Sequence, residues 1–113
     1  AFYSKELQGV GDVVTPVTPD DCTPVWHLYV IRTEKRDELW EYLKTRQVFA
    51  QVHYPIPIHE LGVYKDTLGK KYAGKLPVTS KYAKQILSLP IYPDLTKEQQ
   101  QHVVQAVKDF FKQ

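Results

Sequence analysis

The sequence predicts an α+β fold, with a small antiparallel or mixed sheet of three to four strands and helices packed on one face. Three observations carry this prediction. The stretch VWHLYVIR, residues 25–32, is dense in β-branched and aromatic side chains, as strands are. Residues 97–111 place their apolar side chains on one helical face. Between them, strand-like and helix-like segments alternate, which is typical of a two-layer domain.

The first 24 residues differ in composition from the rest of the chain. AFYSKEL, residues 1–7, has no capping residue before it and is typical of the last turns of a helix that began earlier. Residues 8–24 are rich in Gly, Pro, Thr and Asp and indicate a linker or crossing segment, with a short strand at residues 12–15. We therefore divide the chain into residues 1–24, a helix end with a linker, and residues 25–113, a C-terminal small α+β domain.

The first strand is followed by a helix and a second strand. Thr33 is a suitable N-cap for a helix at residues 34–47, which has acids in its first turns and Lys44 near its end, as the helix dipole favours. Residues 48–53 form the second predicted strand, which the following prolines end.

The C-terminal half contains a long loop, a third strand and the final helix. Residues 60–79 have a loop-like composition, and residues 80–86 predict a short helix. Residues 87–92 predict a third strand. Thr96 and Gln99 form a capping box, in which the glutamine side chain reaches back to the N-cap and fixes the start of the last helix.

Length and composition exclude several classes of protein. The 113 residues are enough for one domain with its own core, and the lone Cys22 fits a reducing, cytoplasmic setting. No apolar run approaches the ~20 residues that a membrane span needs. The four histidines do not fall at metal-ligand spacing and no cysteine supports them, so we expect no metal site.

Charge is unevenly distributed, although the formal net charge is only +2. Residues 1–24 sum to −3, because Lys5 stands against four acids, whereas residues 65–84 sum to +5, because six lysines stand against Asp66. Such a basic stretch can attract a phosphate or a nucleic acid. It lacks arginine and the aromatic platforms of a single-strand binder, so a solvated lysine-rich loop is favoured, with neither nucleic acid nor membrane as partner.

The stretch QVHYPIPIH holds the candidate functional residues. His53 and Tyr54 stand at the end of the second predicted strand, where side chains leave the sheet and can face a cleft. Pro55 and Pro57 restrict the residues before them to extended conformations, which predicts a stiff arm that loses little entropy on binding. The alternative is a proline-rich cover over a sheet edge, and the pattern alone favours neither. Of the other histidines, we expect His27 to be packed in its strand and His102 to be solvated.

Four stretches resemble one protein family in the same order: HLYVIR followed by a helix, VHYPIPIH, LPVTSKYAKQILSLPIYPDLTKEQ and the final apolar helix. Together they resemble the C-terminal small domain of the DegT/DnrJ/EryC1/StrS family of sugar aminotransferases, over residues 25–111. The combination of HYPIPIH with LSLPIYPDLT is specific. The resemblance implies the small domain of a fold type I aminotransferase. Such an enzyme uses pyridoxal phosphate to move an amino group, usually from glutamate, to a nucleotide-linked keto-sugar in cell-surface polysaccharide or deoxysugar biosynthesis.

The resemblance also implies how this chain would act. The lysine that forms the Schiff base, and most of the cofactor site, would lie in an N-terminal large domain missing here, so the chain alone should be inactive. The intact enzyme is expected to be a homodimer. In the family the His-Tyr pair of this turn faces the sugar-nucleotide pocket, which implies that His53 and Tyr54 hydrogen-bond the substrate. His59 and Tyr64 would support them from behind, and no residue of this chain would be catalytic.

Two other interpretations compete with this one. A stand-alone ferredoxin-like α+β module that binds a ligand or regulates would keep the fold without catalysis, but it has no need of the His-Tyr-Pro turn. A small nucleic-acid binder would use residues 65–84, and retention on heparin that collapses with modest salt would favour it.

Overall fold

The computed structural model describes residues 2–112. In this part of the chain the helices and strands are α1 (Phe2–Glu6), β1 (Tyr29–Arg32), α2 (Arg36–Thr45), α3 (Lys70–Tyr72), α4 (Pro77–Ala83), β2 (Ile86–Leu89) and α5 (Lys97–Phe110). Residues 60–79, predicted as a loop, instead contain short helical turns up to residue 69, the α3 helix and the start of α4. None of the described helices is long and apolar enough to cross a membrane.

The sheet has two antiparallel strands, so the prediction of three to four was wrong in number. β1 pairs with β2 in a register that sets Tyr29 opposite Leu89. The other two predicted strands contribute one residue pair each, Val14 with Arg32 on the outer side of β1 and Gln51 with Ser88 on the outer side of β2. Four segments therefore lie side by side, but each outer segment pairs with its neighbour through a single bridge. Prolines follow both bridging residues closely and cannot continue a ladder.

One face of the sheet carries the core. Tyr29 and Ile31 of β1 lie opposite Leu89 and Leu87 of β2, and all four side chains are buried on the same face. Three helices, α1, α2 and α5, supply most of the rest of this cluster, namely Tyr3, Leu39, Leu43, Val103, Val104, Ala106 and Val107. Leu7, just after α1, and Val48 and Ala50, after α2, complete it. The expected two-layer α+β arrangement with helices against one face is therefore present. Removal of these apolar side chains from water is the main driving force for the fold.

Side-chain hydrogen bonds help to attach the first residues to the rest of the fold. Tyr3 is 4% exposed and its hydroxyl donates to the Pro90 carbonyl at 2.9 Å. Farther along, the Asp12 carboxylate accepts a bond from the Thr33 hydroxyl and another from the Glu34 backbone N–H at 2.7 Å. Thr33 accepts from the Lys35 N–H at 3.1 Å, so it organises the entry to α2 although the helix begins at Arg36. The division at residues 24 and 25 stays a prediction.

The final helix follows its sequence signals closely. Thr96 accepts from the Gln99 N–H at 3.2 Å, and the Gln99 side chain accepts from the Thr96 N–H at 2.9 Å, which completes the predicted capping box. The helix runs from Lys97 to Phe110, one residue short of the predicted end.

Tyr3 predicts a loss of stability at alkaline pH. Burial, with smaller contributions from Tyr92 and Tyr29, raises the pKa of Tyr3 from 10.0 to about 12. Because the folded chain holds the neutral phenol, this stabilisation is complete below about pH 10 and is lost as the pH rises toward 12. We expect the urea midpoint to fall over this window, and to fall less in Tyr3→Phe. Tyr54→Phe, a change in an exposed tyrosine, is the matched control and should retain the full fall. An identical fall in Tyr3→Phe would contradict the assignment.

Candidate functional site

The predicted His-Tyr turn lies directly after the bridge between Gln51 and Ser88. His53 Nδ1 is 2.9 Å from the Ser88 hydroxyl oxygen on β2. A cis peptide joins His53 to Tyr54, and the two rings meet edge to face with centroids 5.7 Å apart. The hydrogen bond to Ser88 therefore attaches the histidine to β2. The tyrosine, in contrast, projects outward and is 76% exposed.

His53 lines a groove of about 720 Å³ between the end of β2, the start of α5 and the segments before β1 and after α2. We call it the His53 groove. Its apolar wall includes Phe49, Leu89, Pro90, Leu95 and Val103. Its polar side chains include His27, Gln51, His53, Ser88, Glu98 and His102. Among the described residues that line this groove, the titratable side chains are three histidines, Glu98 and Tyr92. This is a largely apolar surface with several hydrogen-bonding side chains and one carboxylic acid side chain.

Tyr54 lines a different groove. This second depression, the proline-arm groove, measures about 610 Å³ and lies between the Tyr54–Ile58 stretch and α4. Its lining is almost entirely apolar and includes Ile56, Val78 and Tyr82. The structure thus brings His53 and Tyr54 side by side at one turn but points them toward two separate grooves.

His59 and Tyr64 line neither the His53 groove nor the proline-arm groove. His59 is 9% exposed, and its Nε2 is 3.3 Å from a Glu60 carboxylate oxygen and 3.5 Å from the Ser80 hydroxyl oxygen. The Ser80 hydroxyl also donates to Glu60. These contacts tie the turn after the proline arm to α4. Tyr64 is partly exposed and ends a short helical turn. Its carbonyl accepts a hydrogen bond from the Thr67 hydroxyl at 3.3 Å.

A comparison with known families identifies the chain. The model of the DegT/DnrJ/EryC1/StrS aminotransferase family matches residues 1–108. The chain belongs to the DegT/DnrJ/EryC1/StrS aminotransferase family. The predicted resemblance is thereby confirmed, and it extends to the first 24 residues.

Relatives within the DegT family support the assignment over nearly the whole chain. It is 45% identical to the pleiotropic regulatory protein of Geobacillus stearothermophilus, a match covering 99% of this chain and 30% of that protein. It is 40% identical to the dTDP-3-amino-3,4,6-trideoxy-alpha-D-glucose transaminase of Streptomyces venezuelae, covering 97% of this chain and 28% of that protein. The chain therefore spans less than a third of the length of these relatives.

The fold matches a solved structure of a similar protein. The crystal structure of S. venezuelae DesV in complex with a ketimine intermediate superimposes with a TM-score of 0.91 at 39% identity. The match covers 98% of this chain and 29% of that one. Such agreement shows that the two chains share this fold over nearly the whole length of the present chain.

Neither the His53 groove nor the proline-arm groove, as the described residues line them, forms a complete site for pyridoxal phosphate. That cofactor needs a lysine for its Schiff base and positive or N–H groups for its phosphate. Within residues 2–112, no lysine or arginine lines the His53 groove or the proline-arm groove. The basic stretch is exposed and partly paired, with Lys70 2.9 Å from Asp66 and Lys81 3.6 Å from Glu34. The same part of the chain has no group of three or more side chains that could hold a metal ion.

Sequence reasoning missed two residues of this site. Ser88 stands between leucines in ILSL, and a polar residue at a buried strand position was the signal that it has a partner. His27 was expected to be packed in a strand, but the strand begins only at Tyr29, so His27 is exposed and lines the His53 groove. His102 is exposed as predicted, and its Nε2 lies 2.8 Å from the Arg46 carbonyl oxygen.

Proposed function

We propose that this chain is the C-terminal small domain of a pyridoxal-phosphate-dependent sugar aminotransferase. The enzyme would transfer an amino group from an amino acid, glutamate, to a nucleotide-linked keto-sugar used in polysaccharide or deoxysugar biosynthesis. The observation that carries the proposal is the 40% identity, over 97% of the chain, to a transaminase named for a dTDP-linked amino sugar. The lone Cys22 fits a cytoplasmic reaction.

The rest of the protein would supply the Schiff-base lysine and most of the cofactor site. This part of the proposal is supported by the absence of lysine and arginine from the described lining of both grooves. It is also supported by length, because these relatives are more than three times as long as the part of them that this chain matches. The intact enzyme would be a homodimer. Apolar side chains on the groove surfaces, among them Phe49, Ile58 and Val78, would pack against these other parts.

This chain's own residues would bind and orient the nucleotide-sugar. His53, held by Ser88, would donate or accept a hydrogen bond from within the His53 groove. The Tyr54 hydroxyl would form a hydrogen bond on the other side of the turn, toward the proline-arm groove. Its partner would be a second part of the ligand or a neighbouring protein surface. His59 would act indirectly, because its contacts with Glu60 and Ser80 fix the far end of the proline arm on α4. Closure of these apolar surfaces would exclude water from the bound sugar.

Amino transfer by the intact protein tests this function. With pyridoxal phosphate, glutamate and a dTDP-linked keto-sugar, we expect formation of the amino sugar, measured by mass spectrometry. The 113-residue chain alone is the control. It should be inactive, and borohydride reduction of its mixture with pyridoxal phosphate should yield no stoichiometric adduct on a single lysine. An adduct of that kind would contradict the proposed division of labour. An intact protein without aminotransferase activity that still binds a small ligand would favour the stand-alone binding module.

A further inference from the structure

We propose that Ser88 is a positioning residue that holds neutral His53 with its ring proton on Nε2, so that His53 presents an N–H donor to the His53 groove. This residue belongs to the site of the proposed function, and only the statement about the ligand group rests on that function. Its structural part stands on the hydrogen bonds of the sheet.

Ser88 is a fixed point in the fold. Its residue is 4% exposed at the centre of β2. Its backbone N–H donates to the Gln51 carbonyl at 2.7 Å, and its carbonyl accepts from the Gln51 N–H at 3.0 Å. Both flanking residues, Leu87 and Leu89, are buried in the core on the opposite face. The hydroxyl is therefore held at 2.9 Å from His53 Nδ1 by a backbone that cannot shift without breaking the sheet.

The need of each donor for an acceptor then determines which ring nitrogen of neutral His53 carries the proton. Either the Ser88 hydroxyl donates to a bare Nδ1, or a protonated Nδ1 donates to the Ser88 oxygen. In the second arrangement the hydroxyl proton of a buried serine needs another acceptor, and the described residues provide none for it besides His53. A buried donor without an acceptor is strongly disfavoured. The first arrangement leaves no such group, and it places the ring proton of neutral His53 on Nε2.

The Nε2 atom of His53 is the one available to a ligand. Within residues 2–112 it has no protein hydrogen-bond partner, whereas Nδ1 is occupied by Ser88. No side-chain nitrogen or oxygen that is buried in this part of the chain lacks a partner. An unpartnered Nε2 is therefore accessible, and the ring lines the His53 groove.

The ligand group at this position is consequently a hydrogen-bond acceptor. With the proposed nucleotide-sugar as ligand, the group is an oxygen of the sugar or its phosphate rather than a donor such as an ammonium. The groove's described lining contains Glu98 and no lysine or arginine, which disfavours a bare phosphate and favours a neutral sugar oxygen.

Nitrogen NMR of the intact protein tests the tautomer without reference to activity. Histidine ¹⁵N shifts and their couplings to the ring hydrogens are recorded above the titration of the ring, and the His53 signals are assigned by their loss in His53→Asn. We expect wild-type His53 to be entirely in the Nε2–H form. The Nδ1–H form, which exposed neutral histidines also populate, should appear in Ser88→Ala and disappear again in Ser88→Thr, which restores a hydroxyl. A wild-type His53 protonated on Nδ1, or the same tautomer mixture in wild type and Ser88→Ala, would overturn the proposal.

Kinetics test the consequence for the ligand. Ser88→Ala should lower kcat/KM for the sugar half-reaction by about 2- to 10-fold, with Ser88→Thr close to wild type and the donor half-reaction little changed. Equal losses in both half-reactions, with no rescue by threonine, would mean that Ser88 acts only through stability and would overturn its positioning role. If the protein transfers no amino group at all, the proposed function fails, while the tautomer measurement still decides the structural part.

Discussion

Replacing His53 by alanine in the intact enzyme is expected to lower kcat/KM for the sugar half-reaction by about 5- to 150-fold, since one hydrogen bond to a polar or charged group contributes roughly 1–3 kcal/mol. The ring lines the His53 groove, and Ser88 fixes its orientation from a buried strand position. Because a small amino donor does not need to reach this groove, the donor half-reaction should change much less. Stopped-flow absorbance of the cofactor follows the two half-reactions separately.

Two controls accompany the His53 variant. Tyr54→Phe keeps the ring and loses only the hydroxyl, so it should cost less than His53→Ala. The thermal midpoint of Tyr54→Phe should stay near that of the wild type, because Tyr54 is exposed. His53→Ala removes the acceptor of the Ser88 hydroxyl, so a modest fall of its midpoint is expected, and the comparison of the two half-reactions separates this from a loss of binding. An unchanged sugar half-reaction in His53→Ala, or equal losses in both half-reactions with a lowered midpoint, would leave the turn as a cover for the sheet edge.

Leu87→Ala is expected to destabilise the chain by about 2–5 kcal/mol, the range for a leucine removed from a packed core. Leu87 is fully buried, lies opposite Ile31 across the two-stranded sheet and belongs to the cluster that joins the sheet to its helices. With so small a sheet, few neighbours can move to fill the space. Urea unfolding followed by the fluorescence of Trp26 and Trp40 measures the change.

Leu76→Ala is the matched control for this change. Leu76 precedes α4 and is 36% exposed, so the same truncation there should cost less than about 1 kcal/mol. Similar losses in the two variants would mean that the sheet face is not the centre of the core.

The elements that the sequence predicts well are those specified by neighbouring residues. The α5 helix carries its own N-cap, its own reciprocal glutamine and an apolar stripe, so its bounds needed no knowledge of the rest of the chain. The two central strands were also predicted. β-branched and aromatic residues accumulate at Tyr29–Arg32, and Ile86–Leu89 overlaps the strand predicted at residues 87–92. Their lengths were overestimated, since a strand extends only as far as a partner pairs with it.

The features that escaped prediction depend on residues distant in the sequence. Ser88 lies 35 residues from His53, and the local pattern of neither residue indicates the other. The same is true of the Asp12 carboxylate, which meets the entry to α2 more than 20 residues later. Tyr54 was expected to share a pocket with His53, yet the geometry of the turn directs the two side chains to separate grooves. The short turns between residues 60 and 79 lack the length over which helical periodicity can be recognised.

The single bridges at the two outer sides of the sheet have a consequence for how this chain can associate. An added strand from another molecule could pair with β1 or β2 only after displacing Val14 or Gln51. Pro16 and Pro55 follow these residues and provide no backbone N–H for a continuing ladder. The two-stranded sheet is thereby protected against extension into an intermolecular β-sheet, the route by which exposed strands seed fibres. We therefore expect association of the chain with itself or with other subunits to use exposed side chains rather than the edges of the sheet.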